Sequence, residues 1–380
     1  MKKIYRQLVN LFLAAAVIIG GGTAVNSMRS QASVDQKQDG KAGTMEVHFI
    51  DVGQGDSTLI TCEGHSMLID TGEAVKGTAI QNYLQKQKID KLDYLVLTHP
   101  DSDHIGGAPV IITKFKIDKV FVSNYEKDNK TYMKLIQALD NKHLKQTTPK
   151  VGEKYSLGTA EFTILAPNDT YSNPNDASVA LLIQNGKNRF LFTGDAEEDA
   201  EQDILGNGLD ISADVYKAGH HGSRTATSEE FFEAVSPTSA VISCGEGNSY
   251  GHPHAQTLNT FRMNGVKVYR TDEEGTIIAT SDGKNITFNV PESDTWQAGE
   301  PNGNSSVWKA PSQKSESVKS SEAKDPTAKD EITYVLNTKS MKFHKPSCNA
   351  LPEDANREDS AADRSAIIEQ GYEPCKRCNP

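Results

Sequence analysis

Short apolar runs, alternating or continuous, dominate the chain from Met45 onward. The segments MEVHFIDV, STLITC and HSMLIDTG each predict a strand, and their close succession predicts a meander. The next segment, TAIQNYLQKQ, places Ile80 and Leu84 four residues apart, as one face of a helix requires. KLDYLVLT then predicts a buried strand.

The alternation of strands and helices continues to residue 290. Strands are predicted over DKVFVSN, AEFTILAP, ADVYKAG, SAVISCG, VKVYRT and GTIIAT, and SVALLIQ and RFLFTGD form a hairpin around NGKN. Helices are predicted over TYMKLIQALDN, AEEDAEQDIL, TSEEFFEAV and AQTLNTFRM. Mixed elements of this kind predict an α/β or α+β domain over residues 45–290, with helices covering sheets.

The amino-terminal segment has the pattern of a secretory signal peptide. Lys2, Lys3 and Arg6 precede an apolar run from residue 11 to 19, and small and polar residues follow. We expect a signal peptide over residues 1–32, a linker over 33–44, and a secreted protein. An uncleaved amino-terminal membrane anchor is the alternative; if the signal is cleaved, no stable membrane association is expected.

The composition changes again after residue 290. Residues 291–330 are rich in Ser, Lys, Glu, Pro, Asn and Gly, which predicts a disordered linker. Strand-like character resumes with EITYVLNTKSMKFH, so a small module is predicted over residues 331–380.

The net charge of the chain and the positions of its cysteines limit the functions that are plausible. The formal net charge of −11 over 380 residues argues against non-specific electrostatic binding of nucleic acid by the whole chain. A polyanionic substrate must therefore be held locally, by metals or by a small basic patch. Three of the five cysteines lie close to the carboxyl terminus, which favours a metal site, whereas Cys62 and Cys244 end predicted strands as buried thiols.

Candidate metal ligands follow the ends of three predicted strands. The segment THPDSDHIGG follows one strand, Asp195 ends a second, and two adjacent histidines end a third; the candidates are His99, Asp101, Asp103, His104, Asp195, His220 and His221. Gly106 and Gly107 would let the next helix pack close. Taken alone, HPDSDH also fits a solvated loop in which an aspartate caps a helix.

Five motifs in this order resemble the metallo-β-lactamase superfamily. They are DVGQGDS, IDTG, HPDSDHIGG, FTGDAE and KAGHHGS, and more narrowly the segment resembles the hydrolase domain of ComEC-type competence proteins. The resemblance implies a four-layer αββα sandwich with two divalent metal ions at one edge. It also implies that His99, Asp101, Asp103 and His104 are ligands, that Asp195 bridges the metals, and that His220 or His221 completes the set.

Two departures from the family pattern bear on the metal. Asp101 stands where the commoner pattern has a second histidine, and because a carboxylate is a harder ligand, Mn²⁺ is expected at least as much as Zn²⁺. The usual histidine before FTGD is absent, and Asp176 is the local candidate, with an Asx turn as the alternative. Asp70 is expected to hold a loop near the site.

Several further residues have a predicted role near the site. Asp51 and Asp56 are expected to bond backbone amides in a tight hairpin, with direct contact to the substrate as the alternative. His252 or His254 either reaches the site or only starts a helix. Two bridged metals would generate hydroxide from water, which implies Asp103, Asp195 and His221 in catalysis. Lys217 either stabilises the charge that develops on a phosphoryl group or faces solvent.

The carboxyl-terminal cysteines form a second metal motif. His344 and Cys348, then Cys375 and Cys378, have the spacing of a closed structural Zn²⁺ site; a disulfide with one free thiol is the alternative. The segment resembles the metal-binding domain of Ada-type DNA repair proteins. His344 replaces the alkyl-accepting cysteine of that family, so no alkyl transfer is expected and a structural or DNA-contacting role remains.

These patterns predict a secreted, metal-dependent phosphodiesterase whose substrate is DNA or another phosphodiester, and a nuclease acting on extracellular DNA is the leading hypothesis. A phosphorylcholine esterase or another small phosphodiesterase is the first alternative. A non-catalytic, metal-stapled DNA-binding or adhesion protein is the second.

Overall fold

The computed structural model describes residues 42–299 and, further on, residues 334–337, 339, 342–346, 348, 351, 357–360, 367, 373–375 and 377. The chain divides into two units, residues 1–307 and 308–380. The predicted signal peptide lies outside the described residues, as do the positions from 300 to 330. Among the residues described, none of the helices combines the length and the apolar character needed to cross a membrane.

The first unit alternates strands and helices as the sequence predicts. In chain order the elements are β1 (Met45–Phe49), β2 (Thr58–Cys62), β3 (His65–Ile69), α1 (Gly77–Lys86), β4 (Lys91–Leu97), α2 (Ser102–Ile105), α3 (Ala108–Lys114), β5 (Lys116–Val122), α4 (Lys130–Asn141), β6 (Gln146–Thr147), β7 (Lys154–Leu157), β8 (Ala160–Ala166), β9 (Ala180–Asn185), β10 (Asn188–Phe192), α5 (Glu198–Gly206), β11 (Val215–Lys217), α6 (Glu229–Val235), β12 (Ser239–Ile242), α7 (Ala255–Met263), β13 (Lys267–Arg270), α8 (Thr271–Glu274), β14 (Ile277–Ser281) and β15 (Ile286–Phe288).

These strands form two sheets. One has the order β15-β14-β1-β2-β3-β4-β5-β6 and the other β13-β12-β11-β10-β9-β8-β7. Strands β1 to β3 form the predicted antiparallel meander, in which Val47 faces Ile60 and Leu59 faces Leu68. From β3 to β6, and again from β10 to β13, the neighbouring strands are parallel, so their carboxyl ends share one edge of each sheet.

Alternating side chains separate the layers. Phe190 and Phe192 pack between the sheets together with Val47 and Phe49, whereas Leu191 lies on the opposite face with Phe231 and Phe261 of the covering helices. The other sheet is covered in the same way by α1, α3 and α4, which contribute Leu84, Ile111 and Leu135. Burial on both faces of both sheets gives the predicted αββα sandwich.

The segment after β15 departs from its predicted linker character. Ser293 N–H donates to Val268 O, the Arg270 guanidinium donates to Gln297 O, and Gly299 N–H donates to Pro253 O at 2.9 Å. Residues 291–299 therefore pack on the first unit, because their backbone groups find partners on β13 and on the loop before α7.

The second unit contains a small sheet of the order β18-β16-β17-β19. Its strands are β16 (Tyr334–Asn337), β17 (Lys342–His344), β18 (Arg357–Ser360) and β19 (Glu373–Pro374). Among the residues described there, Leu336, Phe343 and Ile367 form the buried apolar cluster. A core of this size makes a metal or another cross-link the expected source of stability.

Candidate metal centre

Three loops bring the candidate ligands together at the carboxyl ends of parallel strands. His99 and His104 follow β4, Asp195 follows β10, and His220 and His221 follow β11. The loop after β4 packs closely on its neighbours, because a Cβ on Gly106 or Gly107 would lie within 2.4 Å of backbone atoms of other loops. The sequence predicted close packing by the next helix, whereas the close contacts of both glycines with other segments are to residues 71–77, around the start of α1.

One carboxylate oxygen lies at the centre of the site. The Nε2 atoms of His99 and His104 are 3.8 and 3.3 Å from Asp195 Oδ2. The Nε2 atoms of His220 and His221 are 3.7 and 3.5 Å from the same oxygen. Four imidazoles from two sheets thus face one aspartate, which is the position of a bridging ligand.

Each histidine is oriented through its other ring nitrogen. The Nδ1 atom of His104 lies 2.8 Å from Asp70 Oδ2, and that of His221 lies 2.9 Å from Ser243 O. The Nδ1 atoms of His99 and His220 lie 3.1 Å from Thr98 Oγ1 and 2.8 Å from Glu197 Oε1. Such outer contacts fix the tautomer of a ligating histidine and leave Nε2 for the metal.

Asp70 has the loop-holding role that the sequence predicted. Its Oδ1 accepts from Thr98 N–H at 2.8 Å, and its Oδ2 accepts from Thr98 Oγ1 at 2.7 Å as well as contacting His104. The residue has a φ of +56° and is almost fully buried. One carboxylate therefore joins the end of β3 to both ends of the HPDSDH loop.

The HHGS loop has an unusual backbone. His220 and His221 have φ angles of +45° and +54°, in the left-handed region that residues with a side chain rarely adopt. The loop is secured by His220 N–H donating to Gly194 O and by Gly219 N–H donating to Tyr216 Oη at 3.0 Å. Backbone strain of this kind is concentrated at functional sites, and here it presents adjacent histidines to the same carboxylate.

Asp56 is a candidate metal ligand that the sequence analysis missed. Its side chain accepts a hydrogen bond from Lys217 Nζ at 3.0 Å, and both side chains are buried. Four donor atoms, one each from Asp56, His104, Asp195 and His221, lie within 4.8 Å of one another. The backbone-capping role expected of Asp56 was therefore wrong, whereas Asp51 does accept from Gly53 N–H. The only sequence signal was the motif DVGQGDS.

Asp103 and Lys217 also reach the centre. Asp103 Oδ2 lies 3.3 Å from His221 Nε2 and 3.9 Å from His104 Nε2. Lys217 is 3% exposed, so its alternative position in solvent is excluded. The ammonium instead contacts Asp56 and Ala218 O, and its predicted role in catalysis stays a prediction.

The electrostatics of the centre favour a cation. Burial opposes charge on His221, but Asp195 and Asp103 outweigh it and raise the pKa of the ring to about 10. Burial likewise opposes ionisation of Asp195, yet the surrounding histidines hold the pKa of its carboxyl well below the usual value. Burial and the nearby His104 lower the pKa of His99 to about 4, which leaves that ring neutral.

The donors fit a divalent metal. Among the described residues, the buried atoms His99 Nε2, Asp195 Oδ1 and Asp56 Oδ1 have no hydrogen-bond partner. A buried polar atom without a partner is costly, and metal binding at this centre would give such atoms a partner. Imidazole and carboxylate ligands suit zinc, manganese and iron.

Two predicted ligands lie apart from this cluster. The carboxylate of Asp101 is 2.6 Å from Lys127 Nζ and is about one-third exposed. Asp176 accepts from Glu197 N–H at 3.0 Å and from Asn173 Nδ2 at 2.9 Å, so it ties two loops together. Both oxygens of Asp176 have partners in neighbouring loops, although the contact to Glu197 is not the Asx turn considered from the sequence. The contact to Lys127 uses one oxygen of Asp101. The ligand roles of Asp101 and Asp176 therefore stay predictions.

The loop before α7 forms one rim of the site. The His252 ring is buried and lies 5.3 Å from the His220 ring and 5.9 Å from the His221 ring. Burial and the charges of these histidines lower the pKa of His252 to about 3. Of the two histidines considered from the sequence, His252 therefore contacts the centre, whereas His254 Nδ1 accepts from Arg224 N–H.

The second unit contains a separate donor cluster. Donor atoms of His344, Cys348 and Cys375 lie within 4.8 Å of one another, and all three residues are buried. His344 Nδ1 is 3.4 Å from Cys348 Sγ, and His344 Nε2 is another buried atom without a hydrogen-bond partner in the described part of the chain. The fourth predicted ligand, Cys378, lies outside the described residues.

The αββα sandwich and the histidine–aspartate centre at its edge define a metal-binding hydrolase fold. The family model of the metallo-beta-lactamase superfamily matches residues 50–246. The chain belongs to this superfamily, as the motifs indicated.

Three curated relatives extend the comparison. The chain is 31% identical over 277 residues to "ComE operon protein 3" of Bacillus subtilis, covering 68% of this chain and 36% of the relative. It is 32% identical over 242 residues to "Recombination protein 2" of Haemophilus influenzae, covering 62% and 28%. It is 31% identical over 230 residues to "Competence protein ComA" of Neisseria gonorrhoeae, covering 60% and 31%. The chain thus spans about a third of the length of these relatives and is a ComEC-type member of the superfamily.

Proposed function

We propose that the first unit is a metal-dependent phosphodiesterase and that its substrate is DNA, cleaved outside the cell. The convergence of four histidine Nε2 atoms on Asp195 Oδ2 carries this proposal. The names of the curated relatives, which refer to competence and recombination, support a nucleic-acid substrate.

The donor set is large enough for two ions, Zn²⁺ or Mn²⁺. His99 and His104 approach Asp195 from one loop, and His220 and His221 approach it from another, so these five residues would hold the ions. Asp56 and Asp103 add oxygen donors, which favours a harder ion such as Mn²⁺. Bound here, two divalent ions would lower the pKa of water and neutralise charge on a phosphodiester.

The chain itself supplies orientation and charge balance. Asp70, Glu197 and Ser243 hold three of the histidine rings, so little reorganisation is needed on binding. Lys217 compensates the buried carboxylate of Asp56 and places a positive charge beside the cluster. His252, kept neutral, offers a hydrogen-bonding ring at the rim.

The test is cleavage of linear and circular DNA by the full chain, first stripped of metal and then supplied with Mn²⁺ or Zn²⁺. We expect cutting only after metal is restored. Asp195→Ala should lower the rate by more than the roughly 10–100-fold typical of a residue in the outer contacts of a metal site. Asp199→Ala, which removes an exposed carboxylate from the first turn of α5, is the matched control and should cut normally.

Each contrary outcome points elsewhere. Two bound metals without cutting of either DNA would overturn the nuclease proposal and favour a small phosphodiester such as a phosphorylcholine ester. Failure to bind metal at all would overturn the enzyme proposal and favour a non-catalytic DNA-binding or adhesion protein. The ratio of linear to circular cleavage separates exonuclease from endonuclease action.

For the second unit we propose one structural Zn²⁺ held by His344, Cys348, Cys375 and Cys378. The proximity of the first three donors supports it, and thiolate and imidazole ligands are those of closed zinc sites. We also propose export of the chain, on the basis of the signal-like pattern at residues 1–32. Export is tested by looking for the chain in the culture medium, where it should lack residues 1–32.

A further inference from the structure

Tyr250 is an exposed aromatic residue that is linked to the centre through ring contacts. Its side chain is 65% exposed, although it is large and apolar enough that burial would be favourable. A single exposed apolar residue needs no explanation by itself. This one, however, is the outer member of an ordered stack of rings.

The stack connects solvent to the metal-binding histidines. The Tyr250 and His252 rings are nearly parallel, at 20°, with centroids 5.7 Å apart. The His252 and His221 rings are 29° from parallel, with centroids 5.9 Å apart. Tyr250 is therefore two ring spacings from a histidine whose Nε2 faces Asp195.

The loop that carries Tyr250 is held in place by one asparagine. Asn248 Oδ1 accepts from Tyr250 N–H at 3.2 Å and from His252 N–H at 3.0 Å, while Asn248 Nδ2 donates to Gly245 O and His252 O. Gln54 fastens the same loop from the other sheet, since its Oε1 accepts from Gly245 N–H at 3.2 Å. The exposed ring is thus presented on a fixed backbone, which lowers the entropy lost when a ligand stacks on it.

Because the chain is acidic, a stacking contact would supply affinity for nucleic acid that its net charge does not. With a net charge of −11, the chain lacks the general phosphate affinity of basic nucleic-acid-binding proteins. Stacking on an aromatic ring supplies affinity for unpaired bases without demanding a particular sequence, because every base has a π face. In a duplex the base faces are covered by neighbouring pairs.

We propose that Tyr250 is a stacking platform for an unpaired nucleobase next to the scissile phosphodiester, so that the site selects single-stranded nucleic acid. This inference rests on the proposed phosphodiesterase function and specifies its substrate class. Tyr250 would contact substrate and determine specificity, and it would take no part in metal binding.

The test compares two single-stranded oligomers of equal length and charge, one of thymidine nucleotides and one of abasic tetrahydrofuran nucleotides. We expect the wild-type chain to cleave the thymidine oligomer with a kcat/KM about tenfold higher, and Tyr250→Ala to lose that preference. Tyr250→Phe and Tyr250→Trp should retain it. Met133→Ala, which removes a comparably exposed apolar side chain from α4, is the control and should also retain it.

A binding measurement separates this inference from the proposed function. Fluorescence anisotropy of the labelled oligomers on the metal-stripped chain should show the same preference and its loss in Tyr250→Ala, without any cleavage. Equal binding and cleavage of both oligomers by the wild-type chain would overturn the platform while leaving the phosphodiesterase intact. Preferential binding without cleavage under any metal would support the platform and overturn the nuclease.

Discussion

The two donor clusters of this chain are built in opposite ways. The centre of the first unit uses imidazole and carboxylate groups at the edge of two large sheets whose core is continuous. The cluster of the second unit uses one imidazole and buried thiols beside an apolar cluster of Leu336, Phe343 and Ile367. The first cluster lies at the edge of a large core, whereas the second lies in a unit whose described apolar cluster is small. Donor chemistry follows this division, since oxygen and nitrogen donors leave room for reactivity and a closed thiolate set is inert.

Metal removal gives the largest expected difference between the units. A strong chelator should unfold the second unit, because a structural zinc site contributes roughly 10–16 kcal/mol to the folding of a small module. The first unit should stay folded, because its sheets are packed on both faces. Amide hydrogen exchange measured before and after chelation is the check, and chelation should accelerate exchange in residues 331–380 only.

Re-addition of Zn²⁺ should restore protection of the second unit and thereby controls for damage by the chelator. Slow exchange of both units in the chelated chain would contradict the comparison. It would mean that the small core or a disulfide stabilises the second unit without metal.

Loosening an outer contact should give a smaller effect, confined to the first unit. Asp70→Asn keeps the size of the side chain but weakens its hold on His104 Nδ1 and Thr98. We expect metal affinity at this centre to fall about 10–100-fold, while binding of the zinc proposed for the second unit is unchanged. Competition with a metal-binding dye, followed by elemental analysis, measures both.

The matched control for that change is Asp93→Asn. Asp93 is partly buried and, like Asp70, accepts a backbone hydrogen bond, here from Ser66 N–H, but it lies at the opposite end of β4 from the site. Unchanged metal affinity in Asp70→Asn, or an equal loss in Asp93→Asn, would show that the orientation of His104 does not limit binding.

The smallest expected effect distinguishes a loop-forming carboxylate from a ligand. Asp176→Asn disturbs the contacts to Asn173 Nδ2 and Glu197 N–H, which should cost about 1 kcal/mol of unfolding free energy. Metal content and affinity should not change. A loss of one metal equivalent in this variant would support the ligand role that the sequence suggested.

The sequence predicted the fold and part of the site for a common reason. Strand periodicity located the ends of β4, β10 and β11, and the ligands were recognised because parallel strands bring such ends to one edge. For Asp101 and Asp176, position in the sequence does not show whether the carboxylate has another partner in the fold. The partner of Asp101 is Lys127, which the motif does not contain.

Asp56 illustrates the opposite limit. Its partner Lys217 lies in the other sheet and far along the chain, so neither residue alone indicates a buried ion pair. The ring stack from Tyr250 to His221 is likewise invisible in sequence, because it depends on how the loop before α7 folds back. Contacts between loops of different sheets are the information that local patterns lack.

The position of Asp195 between two pairs of histidines has a mechanical consequence. His99 and His104 extend from one sheet, whereas Asp195, His220 and His221 extend from the other. An ion shared by these groups would act as a cross-link between the sheets, adding about 2.7 kcal/mol of stability at a free concentration 100 times its dissociation constant. Any sliding of one sheet over the other at this edge would lengthen the coordination bonds and weaken metal binding. The affinity for metal would therefore depend on how well the two sheets are aligned.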